Sequence, residues 1–302
     1  MQNAETVLNV IRDRGKQGLP LERLYRQLFN PELYLLAYGR LYRNAGAMTR
    51  GTTDETVDAM SRAKIERIIA DLREERYRWT PVRRVEMLKA NGKSRPLGIP
   101  TWSDKLLQDV MRLLLEAYYE PQFSDQSHGF RPGRGCHTAL LEVSRNGTGT
   151  KWFIEGDIKG CFDNIDHTLL LSILGERIHD NRFLRLVDNL LKAGYDQWWQ
   201  HHPTYSGTPQ GGVISPLLAN IYLDRLDQFV EKRYCRPTRA GNPAGAIQHG
   251  IKRRPRHPTT GSLGVLRRHA DGTWSNDSFH RSIPVTRSTD GCATYAMPMT
   301  SC

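Results

Sequence analysis

Asp157 ends a short β-favouring run, Trp152-Phe153-Ile154-Glu155-Gly156-Asp157, and Ile158 continues the pattern. A carboxylate at a strand end, followed by a tight turn into a helix, can hold a hard cation. Mg²⁺ takes one or two carboxylates together with substrate phosphates, so a lone Asp is an incomplete site. The same Asp could simply close a strand and cap a helix. Val82 to Lys89 alternates like a strand, Ala90-Asn91-Gly92 is a turn, and Ser94 to Ile99 reads as the returning strand. Lys89 and Arg95 then sit near one end of a basic ribbon, where a planar guanidinium and a mobile ammonium can clamp a triphosphate. A solvated charged hairpin is the plainer alternative. In Gly207-Thr208-Pro209-Gln210-Gly211-Gly212 the glycines allow close backbone approach to a nucleotide, and Gln210 can donate to a phosphate or sugar oxygen. Phe130, Arg131 and Arg134 lie among glycines, which suits backbone contact and stacking on a single strand, or a turn with charged decoration.

These residues need a scaffold. Apolar positions at helical spacing predict two helices with basic outer faces between Glu5 and Tyr42, and another through Ile65, Ile68, Ile69 and Leu72. Asp104 to Tyr119 reads as a helix with Leu106, Leu107, Val110, Leu113 and Leu114 on its buried face. Cys136 to Ser144, Leu169 to Ile178, Phe183 to Ala193 and Ser215 to Lys232 continue the helical pattern, and Asp163 or Asn164 is a plausible cap after the Asp157 turn. Between Gly194 and Ser206, Tyr195, Trp198, Trp199 and Tyr205 could face nucleic acid or pack into the core. Adjacent His201 and His202 would point to opposite faces of a strand and make a poor metal pair.

A formal charge of +11 over 302 residues points to a polyanionic partner, nucleic acid before a membrane surface. Five cysteines without a Cys-x-x-Cys pair argue against a disulfide framework or zinc site and fit a reducing cytoplasm. No signal peptide or membrane-length apolar run is visible, so no membrane partner is expected.

Four blocks, at Gly92–Lys105, Ser127–Arg134, Trp152–His167 and Gly207–Leu223, resemble in order and spacing the reverse transcriptases encoded by group II introns. The resemblance runs from about Leu21 to Lys232. It implies an α/β (α+β) fold, with the fingers and part of the palm of a right-hand polymerase over 81–232. Residues 1–80 would form a basic helical N-terminal extension and 233–302 an unstructured basic tail. It implies RNA-directed DNA synthesis with a role in intron splicing. The partners would be intron RNA, an RNA template, a DNA primer and deoxynucleoside triphosphates, with Mg²⁺ as cofactor. By the same resemblance Asp157 and the Ile158 carbonyl hold metal, and Lys89 and Arg95 contact the triphosphate. Phe162 underlies the sugar and excludes a 2′-hydroxyl, Gln210 and Gly211 lie at the nucleotide, and Phe130, Arg131 and Arg134 meet the template.

The family completes its metal site from a downstream Tyr-Ala-Asp-Asp hairpin, which this sequence lacks. Beyond Lys232 the chain is rich in Arg, Pro, Gly, Ser and Thr, with almost no apolar periodicity. A frameshift accounts for this. Methionine has a single codon, so stepping back one nucleotide forces Ala from Met297-Pro298 and Asp from Met299-Thr300. Neighbouring codons then permit Tyr-Ala-Asp-Asp, and Arg233 to Gly241 can read Thr-Leu-Leu-Pro-Ala-Tyr-Thr-Arg-Gly. The chain is therefore expected to be an inactive fragment of a polymerase, or an RNA-binding fragment without polymerase chemistry.

Overall fold

The computed structural model describes residues 3–88, 92, 94–147, 152–198, 200–208 and 211–235, and three short strands beyond them. The chain divides into two units, each made of separate stretches: 1–123 with 162–224, and 124–161 with 225–302.

In the first unit, helices α1 (Ala4–Lys16), α2 (Leu24–Gln27), α3 (Pro31–Tyr42) and α4 (Arg62–Arg73) precede a hairpin of β1 (Val82–Leu88) and β2 (Ser94–Ile99). Helix α5 (Trp102–Tyr119) follows at once, with Thr101 as its cap. The chain returns to this unit at Phe162 to build α7 (His167–Gly175), α8 (Asn181–Leu191), a small hairpin of β4 (Tyr195–Gln197) and β5 (Gln200–His202), and the first part of α9 (Ser215–Val230). In the second unit lie α6 (Cys136–Asn146) and β3 (Trp152–Asp157).

Helix α5 is the centre of the first unit. Fifteen of its eighteen residues are buried, so it cannot be amphipathic in the usual one-faced sense. Helix α1 crosses it where Gly15 meets the Tyr118 backbone, an approach that a Cβ would block. Tyr118 Oη donates to Leu19 O (2.8 Å), and Trp79 Nε1 donates to Leu186 O (2.9 Å), which ties the segment before the hairpin to α8. Asp180 caps α8 through the amides of Arg182 and Phe183 and also accepts from the Tyr25 amide (2.9 Å). Strands β1 and β2 pair antiparallel from Arg83↔Ile99 to Leu88↔Ser94, as the alternation predicts, and β1 pairs parallel with β4 to give the order β2-β1-β4-β5.

The helices fall close to their expected places, except that three (α1, α2 and α3) rather than two occupy the stretch up to Tyr42. At the start of α7 the cap is Asp166, one of the carboxylates read as a cap or helix-start residue, whose side chain accepts from the Leu169 amide (2.8 Å), and not Asp163 or Asn164. Position 163 lies in a tight turn that must first be completed before helical φ/ψ begins.

In the second unit β3 is flanked by strands from the stretch expected to be unstructured: β6 (Gly264–Arg268), β7 (Trp274–Ser278) and β8 (Thr294–Pro298), in the order β7-β6-β3-β8. The rest of that stretch from 236 on lies outside the described residues. Helix α6 buries none of its side chains; Leu140 and Leu141 are exposed.

Buried Asp104 accepts from Tyr77 Oη (2.8 Å), Thr101 Oγ1 (2.7 Å) and the Thr80 amide (3.2 Å). Burial pushes its carboxyl above the ordinary value of 3.8, against the pull of those hydrogen bonds. Between the ordinary and the raised pKa the folded chain holds a proton that the unfolded chain has released. Stability is therefore greatest at and below the ordinary value and falls as pH rises through the raised one. Denaturant midpoints taken from pH 4 upward should decline in this window, and Asp104→Asn should flatten the decline.

Candidate active site

The core of the site in the first unit is a junction between the turn after Cys161 and the loop before α9. Gly207 N donates to Ile165 O (2.8 Å), Thr208 N donates to Phe162 O (2.7 Å), and Ser206 Oγ donates to Asp163 O (3.1 Å). His167 Nε2 lies 2.7 Å from Gly207 O. Gly207 has φ +83°, and a Cβ there would stand 2.6 Å from Phe162 O, so this position requires glycine on two counts. Phe162 itself is buried, packed into the main core.

The far end of the same loop is held by the hairpin and by α5. Gly211 has φ +103°, and a Cβ there would strike Gly98 O and stand 2.8 Å from Leu97 Cδ1. Two residues on, Val213 N donates to Gln108 Oε1 (2.9 Å), from a side chain that is 1% exposed. Arg95 is half-buried and sits opposite Met87 in the ladder. Alternation puts its side chain on the face of β2 that carries Leu97, roughly 7 Å further along the strand. The structure thus brings Phe162, Gly207, Gly211 and the Arg95 face of β2 into one region. Lys89 and Gln210 lie outside the described residues.

Asp157 and Ile158 belong to the second unit. Asp157 is exposed at the end of β3, opposite Thr294 of β8, and Ile158 is half-buried. Strand β8, Thr-Tyr-Ala-Met-Pro, supplies no carboxylate. Among the described residues no three His, Cys, Asp or Glu side chains are grouped to hold a metal. Two ions side by side need more oxygen ligands than Asp157 and one carbonyl can give, so the described residues do not fit a two-ion site.

The loop expected at the template is also in the second unit. Phe130 stands 64% exposed with φ +55°, a strained backbone for an aromatic residue. Arg131 is buried, and its Nη1 donates to Ser124 O (2.5 Å) and Ser127 O (2.8 Å). Its guanidinium holds the loop's own backbone. Arg134 pairs with Asp125 at 2.7 Å.

Of the aromatic residues between 194 and 206, Tyr195 stacks on His202 with its other contact to Arg84, 4.4 Å from the ring centroid. Trp198 and Tyr205 are 84% and 86% exposed, so they are not core residues. Trp199 lies outside the described residues. Sequence reading passed over Gln108 and His167. The signal for Gln108 is a polar residue inside the apolar run of α5, a position that demands a partner.

A profile of the family described as reverse transcriptase (RNA-dependent DNA polymerase) matches residues 87–248, past the break expected at Lys232. The chain belongs to the reverse transcriptase family. Within it the similarity is to group II intron-encoded proteins. The chain is 55% identical over 209 residues to the group II intron-encoded protein LtrA of Lactococcus lactis subsp. cremoris, covering 69% of this chain and 35% of that protein. It is 45% identical over 235 residues to an uncharacterized 91 kDa protein in the cob intron of Schizosaccharomyces pombe, covering 76% and 29%. A putative COX1/OXI3 intron 2 protein of Saccharomyces cerevisiae is 36% identical over 242 residues, covering 80% and 27%. The chain thus spans about a third of the length of these relatives. Among the described residues, no helix is long and apolar enough to cross a membrane.

Gln108→Leu should leave the Val213 amide without its acceptor beneath the loop. The expected loss is about 1–3 kcal/mol, read from the denaturant midpoint. Gln108→Glu, which keeps an acceptor oxygen, should recover part of it.

Proposed function

We propose that this chain carries the fingers and part of the palm of a group II intron reverse transcriptase, whose parent enzyme copies RNA into DNA and assists splicing of its intron. The observation that carries the reading is the junction of Phe162 with the Gly207 loop, next to the Arg95 face of β2. A buried aromatic residue beside a glycine loop that permits close backbone approach suits a deoxyribose, because the ring's bulk opposes a 2′-hydroxyl. Lys89 and Arg95 then take the triphosphate, and Gln210 and Gly211 the sugar and base side of the nucleotide. Phe130, Arg131 and Arg134 meet the template, and Arg131 also braces their loop. Asp157 and the Ile158 carbonyl are this chain's share of a Mg²⁺ shell. Partners on this reading are the intron RNA, an RNA template, a DNA primer and deoxynucleoside triphosphates, in the cytoplasm.

Residues 233–302 are read as the product of a one-nucleotide shift after Lys232, which removes the Tyr-Ala-Asp-Asp carboxylates. On that account the chain binds RNA but does not extend a primer. The second reading, an RNA-binding fragment, is favoured by the lone carboxylate at Asp157.

Primer extension on an RNA template with Mg²⁺ and deoxynucleotides separates the two. The chain as written should give no extension, while RNA binding should weaken steeply as salt rises. A gene repaired by one nucleotide after the Lys232 codon should extend the primer and lose that activity with Asp157→Ala. Extension by the unrepaired chain, abolished by Asp157→Ala, would sink the fragment reading.

A further inference from the structure

His167 sits at the first position of α7, 7% exposed, with Nε2 2.7 Å from Gly207 O. A carbonyl oxygen only accepts, so Nε2 carries the proton in this contact. Gly207 O belongs to the same peptide plane as Thr208 N, which donates to Phe162 O (2.7 Å). That plane is rigid and trans, so its N–H and C=O point in opposite directions. One end of the plane is thus pinned to Phe162 and the other to His167. Gly207 precedes the plane with φ +83°, and the wide torsional freedom of glycine makes a flip of this peptide sterically accessible. A flip would turn Thr208 N away from Phe162 O and the Gly207 carbonyl away from His167.

We propose that His167 is a positioning residue of the nucleotide site. Its Nε2–H locks the Gly207–Thr208 peptide so that the glycine loop and Phe162 keep one spacing, and with it the preference for a deoxyribose. The proposal rests on reading this loop as the nucleotide site. It goes further by assigning a role to a side chain that touches no part of the nucleotide. A purely structural histidine would need only to fill its place at the start of α7; a positioning one must present an N–H to Gly207.

The full chain and its His167→Leu and His167→Gln variants are titrated with dATP and with ATP by calorimetry, and amide exchange is followed at Thr208. Leu fills similar space without a donor, whereas Gln keeps a donor. Loss of one such hydrogen bond corresponds to roughly a five- to tenfold change. His167→Leu should weaken dATP binding by that factor, narrow the dATP-to-ATP ratio and speed Thr208 exchange equally. His167→Gln should restore most of each, and ¹⁵N shifts of His167 should report the Nε2–H form. His167→Leu binding dATP as tightly as the unsubstituted chain would overturn the proposal. Equal losses in both variants would do the same, since they would show that packing, not the donor, matters. If the unsubstituted chain binds neither nucleotide, the reading of the loop falls and the proposal falls with it. Thr208 exchange would then still report whether His167 holds the peptide.

Discussion

A helix buried on nearly every side cannot leave its polar groups to solvent, and α5 carries four of them deep in the first unit. Three of them meet other parts of the chain, and the fourth pairs within the helix. Asp104 collects Tyr77, Thr80 and Thr101 ahead of the hairpin. Lys105 donates to Thr49 O (2.7 Å), and burial draws its ammonium below the usual lysine range. Gln108 accepts from Val213 at the foot of the glycine loop, and Asp109 pairs with Arg112 at 2.7 Å. An unmet polar group in such a place costs on the order of 1–3 kcal/mol. The surrounding loops are therefore held where these side chains need them. The glycine loop before α9 is one of those loops, which is how a core helix comes to fix the position of a surface loop.

The other half of the loop is governed by backbone rather than side chains. Two glycines at positive φ let it come within contact of Phe162 O on one side and Gly98 O on the other. This approach makes the hairpin, the turn and the loop one body, although they are far apart in sequence. Arg83 adds to this by donating to the carbonyls of Arg50 and Gly51, which fastens the base of β1 to the preceding loop. The result is a braced rim that carries Arg95.

The comparison of expectation with structure is most instructive at single residues. Arg131 and Arg134 look equivalent in Arg-Pro-Gly-Arg, yet one is buried against its own carbonyls and the other pairs with Asp125 near the surface. Trp198 and Tyr205 were as consistent with a core as with a surface. The exposure of Trp198 follows from a hairpin of only three residues a side, too short to fold its tip back onto the core, and Tyr205 lies in the bend beyond it.

From the sequence by itself came the elements and the chemistry. Periodicity marked α5, α7, α8 and α9 and the β1–β2 hairpin, because buried faces must repeat at 3.6 or 2 residues. The four blocks carried the family, and glycines at 207 and 211 announced a close approach. Only the tertiary structure decided what those glycines approach. That Gly207 faces Phe162 and Gly211 faces Gly98, that Gln108 reaches Val213, and that His167 reaches Gly207 are long-range pairings. No local pattern encodes them, since a hydrogen bond between distant residues leaves no period in the chain. They exist because the helices pack in one way around α5, and that packing selects which polar groups meet.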